Sequence, residues 1–313
     1  MRYLAALALL VATSALGQYP SKPVRVLVPF GAGSSTDIVM RILAQPLSQS
    51  LGQPVVVENK PGADGAIAAA EAAKAAADGH TLLLATNSPM SAAPHLRKLP
   101  YDALADFTPI TLVGNYTFFV LVHPSVPARN LAEFITYARA NPGKLNYGTG
   151  NTSGIVMTAM LASQAGIDLV HVPYKSEPPA ITDLLSGNIQ VMISSYATVA
   201  PHLREGKLRA LVTTLPSRSS LLMDVPSIVE AGFPKFTVSP WAGMFGPARM
   251  TKDVAERLNR ELNSLLARQD VRDSLLRQAF DPKGASTAEF AKYVREQYDI
   301  WGKAIREAGI QPE

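Results

Sequence analysis

The chain has 313 residues, no cysteine, 47% hydrophobic residues and a formal net charge of +4. This length and apolar content suffice for two domains with buried cores. Without cysteine the chain has no disulfides, thiolate metal sites or cysteine nucleophiles. The positive charge is small and scattered, with no Lys/Arg block and no interleaved aromatic stripe, so no nucleic-acid partner is expected.

The N-terminus has the pattern of an export signal. Arg2 precedes an uncharged apolar run over residues 4–15, which has the length of a signal-peptide core and is too short to span a bilayer. Small residues stand three and one positions before Gln18, which predicts cleavage near Gly17/Gln18. Residues 1–17 are therefore expected to be a cleaved signal peptide and the mature chain to be periplasmic. The alternative is an uncleaved N-terminal anchor.

Beyond this segment, short β-branched runs alternate with helical patterns. The alternation predicts an α/β protein with largely parallel sheets. The expected strands cover residues 24–30, 54–58, 81–85, 118–123, 144–147, 170–173, 189–193, 208–213 and 241–245. The expected helices begin at Ile38 and Ile155, cover residues 66–77, 131–140 and 179–185, open at 226–227, and run from 253 to the end with a break near 281–284.

Two of the strands run into loops of small and hydroxyl residues just before a helical pattern. The first loop is Gly-Ala-Gly-Ser-Ser-Thr-Asp at 31–37, and the second is Gly-Thr-Gly-Asn-Thr-Ser-Gly at 148–154. Free backbone N–H groups and the positive end of the helix dipole make such places bind anions. Two loops a domain apart predict two halves that each hold one end of a small, negatively charged molecule.

The candidate binding residues come from these loops and from the ends of neighbouring strands. The backbone N–H groups at 34–36 and a hydroxyl of Ser35 or Thr36 are expected to bind one carboxylate. Hydroxyl residues of the second loop are expected to bind the far end, where glycines allow close backbone approach. The full candidate set is Phe30, Ala32, Gly33, Ser34, Ser35, Thr36, Asn87, Tyr147, Gly148, Thr149, Gly150, Thr152, Ser153, Ser194, Ser195 and Tyr196.

Some candidate positions have structural interpretations. Asp37 stands where a helix cap is needed and is expected to be structural. Trp241 is expected to plug a hinge, with a ligand wall as the alternative. For Phe30 the alternative is a place in the core, and for Asn87 it is a hydrogen bond within its own turn.

Enzyme motifs are missing from the sequence. Neither glycine loop carries the Lys-Ser/Thr of a phosphate-binding loop, and the third glycine of a dinucleotide fingerprint is misplaced. Gly-x-Ser-x-Gly and Ser-x-x-Lys are absent, and the five histidines are scattered without a His-Glu-x-x-His pair, so no metal site is expected. These absences favour a binding protein without a cofactor over an enzyme; the alternative is an exported hydrolase of unfamiliar arrangement.

Short sequence blocks in a fixed order carry a resemblance to a known family. They are Tyr19–Arg25, Pro29-Phe30 with Thr36-Asp37, Asn59–Ala63, Asp78–Leu83, Tyr101-Asp102, Asp106-Phe107, His171–Lys175, Asp183–Gly187, Gly206–Leu211, Asp224–Ser227, Glu230–Gly232 and Trp241–Gly243. Together they resemble the Bug family of extracytoplasmic solute receptors, the binding proteins of tripartite tricarboxylate transporters. The resemblance covers essentially the whole mature chain.

The resemblance implies an α/β, two-lobed periplasmic-binding-protein fold of type II with two interdomain crossing strands, at 118–124 and 241–247. Lobe one would comprise residues 18–121 plus 246–313, and lobe two residues 122–245. A small carboxylate, either a dicarboxylate or an aromatic carboxylate, would be held in the interlobe cleft of a monomer and delivered to transporter subunits. The alternative partner is a membrane sensor kinase that recognises the closed form.

The sequence also departs from the family pattern. Ser176-Glu177 follow the Tyr-Lys pair where relatives commonly have glycine, and a carboxylate here would repel an anionic ligand, so Glu177 is expected to point away. Lys175 is expected on the lobe surface, because burying it unpaired is costly. The strand ending in 194–196 lacks an Asp often found there, which predicts a specificity shifted away from amino acids.

Overall fold

Two β-sheets form the framework of this computed structural model, which describes residues 19–236 and 238–312. Strands and helices alternate along most of this length, and the predicted α/β class is confirmed. The expected signal peptide, residues 1–17, lies outside the described residues. Among the helices that are described, none is long and apolar enough to cross a membrane.

The first sheet has six strands and the second has five. In the first sheet they are β1 (Val24–Val28), β2 (Val55–Asn59), β3 (Thr81–Thr86), β4 (Phe107–Tyr116), β10 (Trp241–Pro247) and β11 (Phe280–Pro282), in the order β11-β4-β10-β3-β1-β2. In the second they are β5 (Phe118–Val122), β6 (Asn146–Thr149), β7 (Val170–Pro173), β8 (Val191–Ser195) and β9 (Arg209–Thr213), in the order β7-β6-β8-β5-β9. Strands β1–β3 are parallel, as are β6–β8, whereas β10 and β5 run antiparallel to their neighbours.

Helices cover both sheets and define two lobes. The helices are α1 (Ser35–Leu51), α2 (Ala66–Ala73), α3 (Leu131–Ala140), α4 (Thr152–Ala165), α5 (Glu177–Ser186), α6 (Tyr196–Arg204), α7 (Lys252–Ala267), α8 (Gln269–Leu276) and α9 (Thr287–Glu307). Helices α1, α2, α7, α8 and α9 contact the first sheet, and α4–α6 contact the second. Because parallel strands end at one edge of a sheet, the loops that follow β1, β3, β6 and β8 gather between the lobes.

The chain passes between the lobes at places that differ from the predicted crossing strands. Strand β5 lies wholly in the second sheet and β10 wholly in the first, since each hydrogen-bonds along its length to strands of that sheet. The first passage is at Thr117, whose N–H donates to Ala279 of lobe one and whose carbonyl accepts from Tyr196 of lobe two. The return passage precedes β10, at Pro240, whose carbonyl accepts from the N–H of Tyr116 at 2.9 Å.

The structure differs from the sequence expectations at β4 and at residues 226–227. Strand β4, ten residues long, is not among the expected strands, and Pro109 lies within it. The ladder with β10 shifts register next to Pro109, and such an irregularity tolerates a missing N–H. The helix expected to open at 226–227 is a turn: the carbonyl of Pro226 accepts from Thr213, which ties this segment to β9.

Candidate functional site

The loops of the two lobes enclose a small cavity of about 20 Å³, room for roughly one water molecule. Lobe one supplies eight of its lining residues and lobe two supplies four. They are Phe30, Ser35, Thr36, Thr86, Asn87, Ser88, Tyr116 and Pro240 on one side, and Phe118, Asn151, Ser153 and Glu177 on the other. A much larger groove of about 690 Å³ lies between α4 and α9, away from both glycine loops. The small cavity is therefore the candidate site, in the closed arrangement of the lobes.

The first glycine loop directs the N-terminus of α1 at this cavity. Ser34 is the helix cap, and its hydroxyl accepts a hydrogen bond from the N–H of Asp37 at 3.3 Å. Ser35 and Thr36 follow and line the cavity. The Thr36 hydroxyl accepts from the buried phenol of Tyr116 at 3.1 Å. Two of the three predicted donors of this loop therefore face the cavity, and Ser34 holds the helix start.

Asp37 lies in the first turn of α1, whose cap is Ser34. Its carboxylate accepts hydrogen bonds from Arg41, from Asn59 and from the backbone N–H of Gly33. Although burial acts to raise its pKa, these hydrogen bonds hold the pKa of Asp37 below its usual value. Because the N–H of Gly33 is engaged in this way, and because Ala32 and Gly33 are exposed, the structure does not bring these two predicted residues into the cavity. Gly33 has φ +78°, which makes the tight turn before α1 possible.

The second glycine loop directs the N-terminus of α4 at the same cavity. Asn151 caps the helix by accepting from the N–H of Gly154 at 2.9 Å. Ser153 reaches across to lobe one: its N–H donates to the Ser88 hydroxyl at 3.1 Å, and the two hydroxyl oxygens lie 2.8 Å apart. The buried hydroxyl of Thr152 has no hydrogen-bond partner in the described part of the chain. Ser153 is thus the residue of this loop that meets the opposite lobe.

Three other predicted residues, in β6 and at the start of this loop, make contacts within lobe two. The Thr149 hydroxyl lies 2.6 Å from Nε2 of His171, and the Tyr147 ring stacks on the same imidazole. Gly148 is packed within β6, where an added Cβ would meet Ile189 at 2.3 Å. None of the three lines the cavity.

Asn87 forms hydrogen bonds both with Ser153 at the cavity and with Trp241, just after the return passage of the chain. Its side-chain amide donates to the Ser153 hydroxyl at 2.6 Å, and its oxygen accepts from the N–H of Trp241 at 3.2 Å. Trp241 itself packs among aromatic side chains of lobe one and does not line the cavity. The side chain of Asn87 therefore faces the cavity and not its own turn.

The last three predicted residues are Ser194 and Ser195, at the end of β8, and Tyr196, at the start of α6. Ser194 and Ser195 are buried at the end of β8, beside the cavity. Tyr196 packs against Phe119 with a ring separation of 6.1 Å and belongs to the core of lobe two. Phe30 lines the cavity while being 5% exposed, so it forms part of the wall.

The expectation that Glu177 points away from the cleft is wrong. Its side chain is 3% exposed and lies between the lobes. One carboxylate oxygen accepts from the Ser194 hydroxyl at 3.1 Å, and the other accepts from the Ser35 hydroxyl at 2.9 Å and the Ser35 N–H at 3.4 Å. Burial raises the pKa of Glu177, and the hydrogen bonds from Ser35, Ser194 and Ser195 oppose this effect. Lys175, two residues earlier, is exposed.

Several lining residues besides Glu177 are not among the candidate residues from the sequence. They are Thr86, Ser88, Tyr116, Phe118, Asn151 and Pro240. Thr86 and Ser88 flank Asn87 in the polar loop after a strand, a signal that the sequence does carry. Tyr116 and Pro240 flank the two passages between lobes, and nothing in their local sequence marks them. Among the described residues, no group of three or more His, Asp or Glu side chains is arranged to hold a metal ion.

Two lobes, two chain passages and a cavity walled by loops of both lobes define a two-lobed solute-binding protein of the periplasmic type. Over residues 39–310 the chain matches the model of the tripartite tricarboxylate transporter family receptor. The chain belongs to this receptor family, whose members are binding proteins and not enzymes. The resemblance to the Bug family is confirmed.

Individual relatives are similar to this chain over nearly their whole length. Protein BugT of Bordetella pertussis is 32% identical over 320 residues, covering 99% of this chain and 98% of BugT. The structure of R. palustris Rpa4515 with adipate is 30% identical, with a TM-score of 0.91 over 95% of this chain and 100% of that one. MatC from Rhodopseudomonas palustris with bound malate is 31% identical, with a TM-score of 0.87 over 92% and 100% of the two chains.

Proposed function

We propose that this protein is a periplasmic receptor that encloses a small carboxylate between its lobes and delivers it to a tripartite tricarboxylate transporter as a monomer. The observation that carries the proposal is the meeting of two helix N-termini, those of α1 and α4, at one interlobe cavity. Each N-terminus favours negative charge. The relatives bound to adipate and malate support a carboxylate as the ligand class.

Neutral donors do the binding in this proposal. Ser153, Asn87 and Ser88 present hydroxyl and amide groups whose hydrogen bonds strengthen when the acceptor is an anion. Their present contacts with one another hold the lobes together, and a solute would replace these contacts with its own. The cavity is too small for a solute in the closed arrangement, so binding requires that the lobes first open and then close around it.

The binding proposal is tested by a thermal-shift screen of ligand-stripped protein against mono- and dicarboxylates, aliphatic, aromatic and amino-substituted, each paired with its amide. A true ligand at 100 times its Kd adds about 2.7 kcal/mol to the free energy of unfolding, a shift of a few degrees. We expect shifts with one carboxylate class and none with the matching amides. No shift across the panel, or equal shifts with the amides, would overturn the proposal.

Delivery to a transporter needs a separate test. The chain and its cognate membrane subunits are reconstituted in proteoliposomes, and uptake of the radiolabelled ligand from the screen is followed. We expect uptake that requires the receptor and that a ligand-binding variant fails to support. Uptake independent of the receptor would refute delivery while leaving the binding function intact.

A further inference from the structure

Glu177 occupies the position that a bound carboxylate would take between the lobes. Its Oε1 is held by lobe two, through Ser194, and its Oε2 by lobe one, through the N–H and hydroxyl of Ser35. The donors at the N-terminus of α1 that suit a ligand carboxylate are therefore already bound to a carboxylate of the protein itself.

Among the described residues, the cavity holds no cationic counterpart to the charge of Glu177. Every donor to its carboxylate is a neutral hydroxyl or amide, and the described residues that line the cavity include no Lys, Arg or His. A buried carboxylate without a cation is unfavourable, which is why burial raises the pKa of this group. A second carboxylate brought beside it meets strong repulsion at low effective dielectric, whereas a cation there gains a direct ion pair.

Packing fixes the backbone that carries Glu177. A Cβ added to Gly150 would lie 2.3 Å from the carbonyl carbon of Ser176 and 2.4 Å from the nitrogen of Glu177, so the two loops touch backbone to backbone. Pro178 and Pro179 follow in the first turn of α5 and restrict the backbone there. Glu177 therefore presents its carboxylate to the cavity from a rigid position on lobe two.

We propose that Glu177 determines specificity, and that the solute is a carboxylate with a cationic nitrogen at its other end. The nitrogen pairs with Glu177 near Ser35, and the carboxylate takes the donors around Ser153 and Ser88. This inference rests on the proposed function and narrows it, disfavouring dicarboxylates. It also reverses the expectation, drawn from residues 194–196, that specificity has moved away from amino acids: the acidic side chain comes from α5 instead of β8.

The test compares pairs of solutes that differ only in one end group. Isothermal titration at about pH 7 measures succinate against 4-aminobutanoate, glutarate against 5-aminopentanoate, adipate against 6-aminohexanoate, and terephthalate against 4-(aminomethyl)benzoate. The proteins are wild type, Glu177→Gln and Glu205→Gln, the last a control at an exposed site of lobe two. We expect wild type to bind at least one amino-carboxylate about 10-fold or more tightly than its dicarboxylate.

Glu177→Gln should cancel this preference, weakening the amino-carboxylate and strengthening the dicarboxylate, while Glu205→Gln behaves as wild type. The inference is overturned if wild type binds a dicarboxylate as well as its amino partner, or if Glu177→Gln keeps the wild-type ratio. Were Glu177→Gln to fail to fold, the ratios of wild type alone would decide. Binding of no carboxylate by any of these proteins would refute the proposed function as well, so the two failures are distinguishable.

Discussion

Ser153, in the second glycine loop, forms hydrogen bonds with residues of lobe one. Its hydroxyl accepts from Asn87 and lies within hydrogen-bond distance of Ser88, and its N–H donates to the same Ser88 hydroxyl. Ser153→Ala keeps the N–H and removes the hydroxyl. Because a hydrogen bond to a charged group contributes about 1.5–3 kcal/mol, we expect carboxylate binding to weaken roughly 10- to 100-fold, measured by isothermal titration.

The matched control lies on the same helix. Ser163 is exposed on α4, and Ser163→Ala should leave both affinity and Tm within the small range of surface substitutions, about 0.5 kcal/mol. Equal affinity losses in the two variants would mean that the loss reflects the helix and not the cavity. Unchanged affinity in Ser153→Ala would remove this hydroxyl from the binding site.

At the scale of elements, the sequence predicts the two strand–loop–helix units well and the cavity they form only in part. Small residues and a capping residue precede each helix, and this local pattern alone predicts both loops. It therefore also predicts three residues that line the cavity, Ser35, Thr36 and Ser153. Glu177 is expected to point away because a ligand carboxylate at the first loop would repel it, whereas in the structure the Glu177 carboxylate itself binds Ser35 of that loop. Tyr116 joins the cavity through pairing of distant segments, which no local pattern contains.

Gly150 tests the contact between two of these elements. The Cβ of Gly150→Ala would overlap the backbone of Ser176 and Glu177, atoms that move only with the start of α5. We expect a loss of about 1–3 kcal/mol in the free energy of unfolding, as for other overpacked sites, together with weaker ligand binding. Chemical denaturation measures the first effect and titration the second.

Gly154→Ala provides the comparison, four residues further along. An added Cβ there meets its nearest atoms, on Thr149, at 3.4 Å, an ordinary contact, and alanine favours the helix over glycine by about 1 kcal/mol. Gly154→Ala is therefore expected to raise the free energy of unfolding. If both glycine variants changed it in the same direction, close approach of the loops would not explain Gly150.

For the molecule as a whole, the passages at Thr117 and Pro240 make closure a movement of two lobes about adjacent connections. In the closed arrangement, Ser35 of lobe one and Ser194 of lobe two enclose Glu177. Burial raises the pKa of Glu177 above its ordinary value of 4.5, and we expect opening to remove part of this burial, so that in a pH window above 4.5 the closed form binds a proton more readily than the open form. Closure is therefore favoured as the pH falls through this window and weakened as the pH rises through it.

Small-angle X-ray scattering of the ligand-free protein from about pH 4 to about pH 8 measures this dependence as a radius of gyration that grows with pH. Glu177→Gln should remain compact across the window, and Glu205→Gln should follow wild type. Two other titratable groups in this region do not produce the same pH dependence. Burial raises the pKa of Tyr116, which moves it further above the pH range of the experiment. Burial lowers the pKa of His171, although the negative charge of Asp64 acts to raise it. The half-buried His171 contacts Thr149 and Tyr147 of its own lobe, so its titration is not expected to follow closure. A pH profile shared by wild type and Glu177→Gln would therefore exclude Glu177 as the group that couples protons to closure.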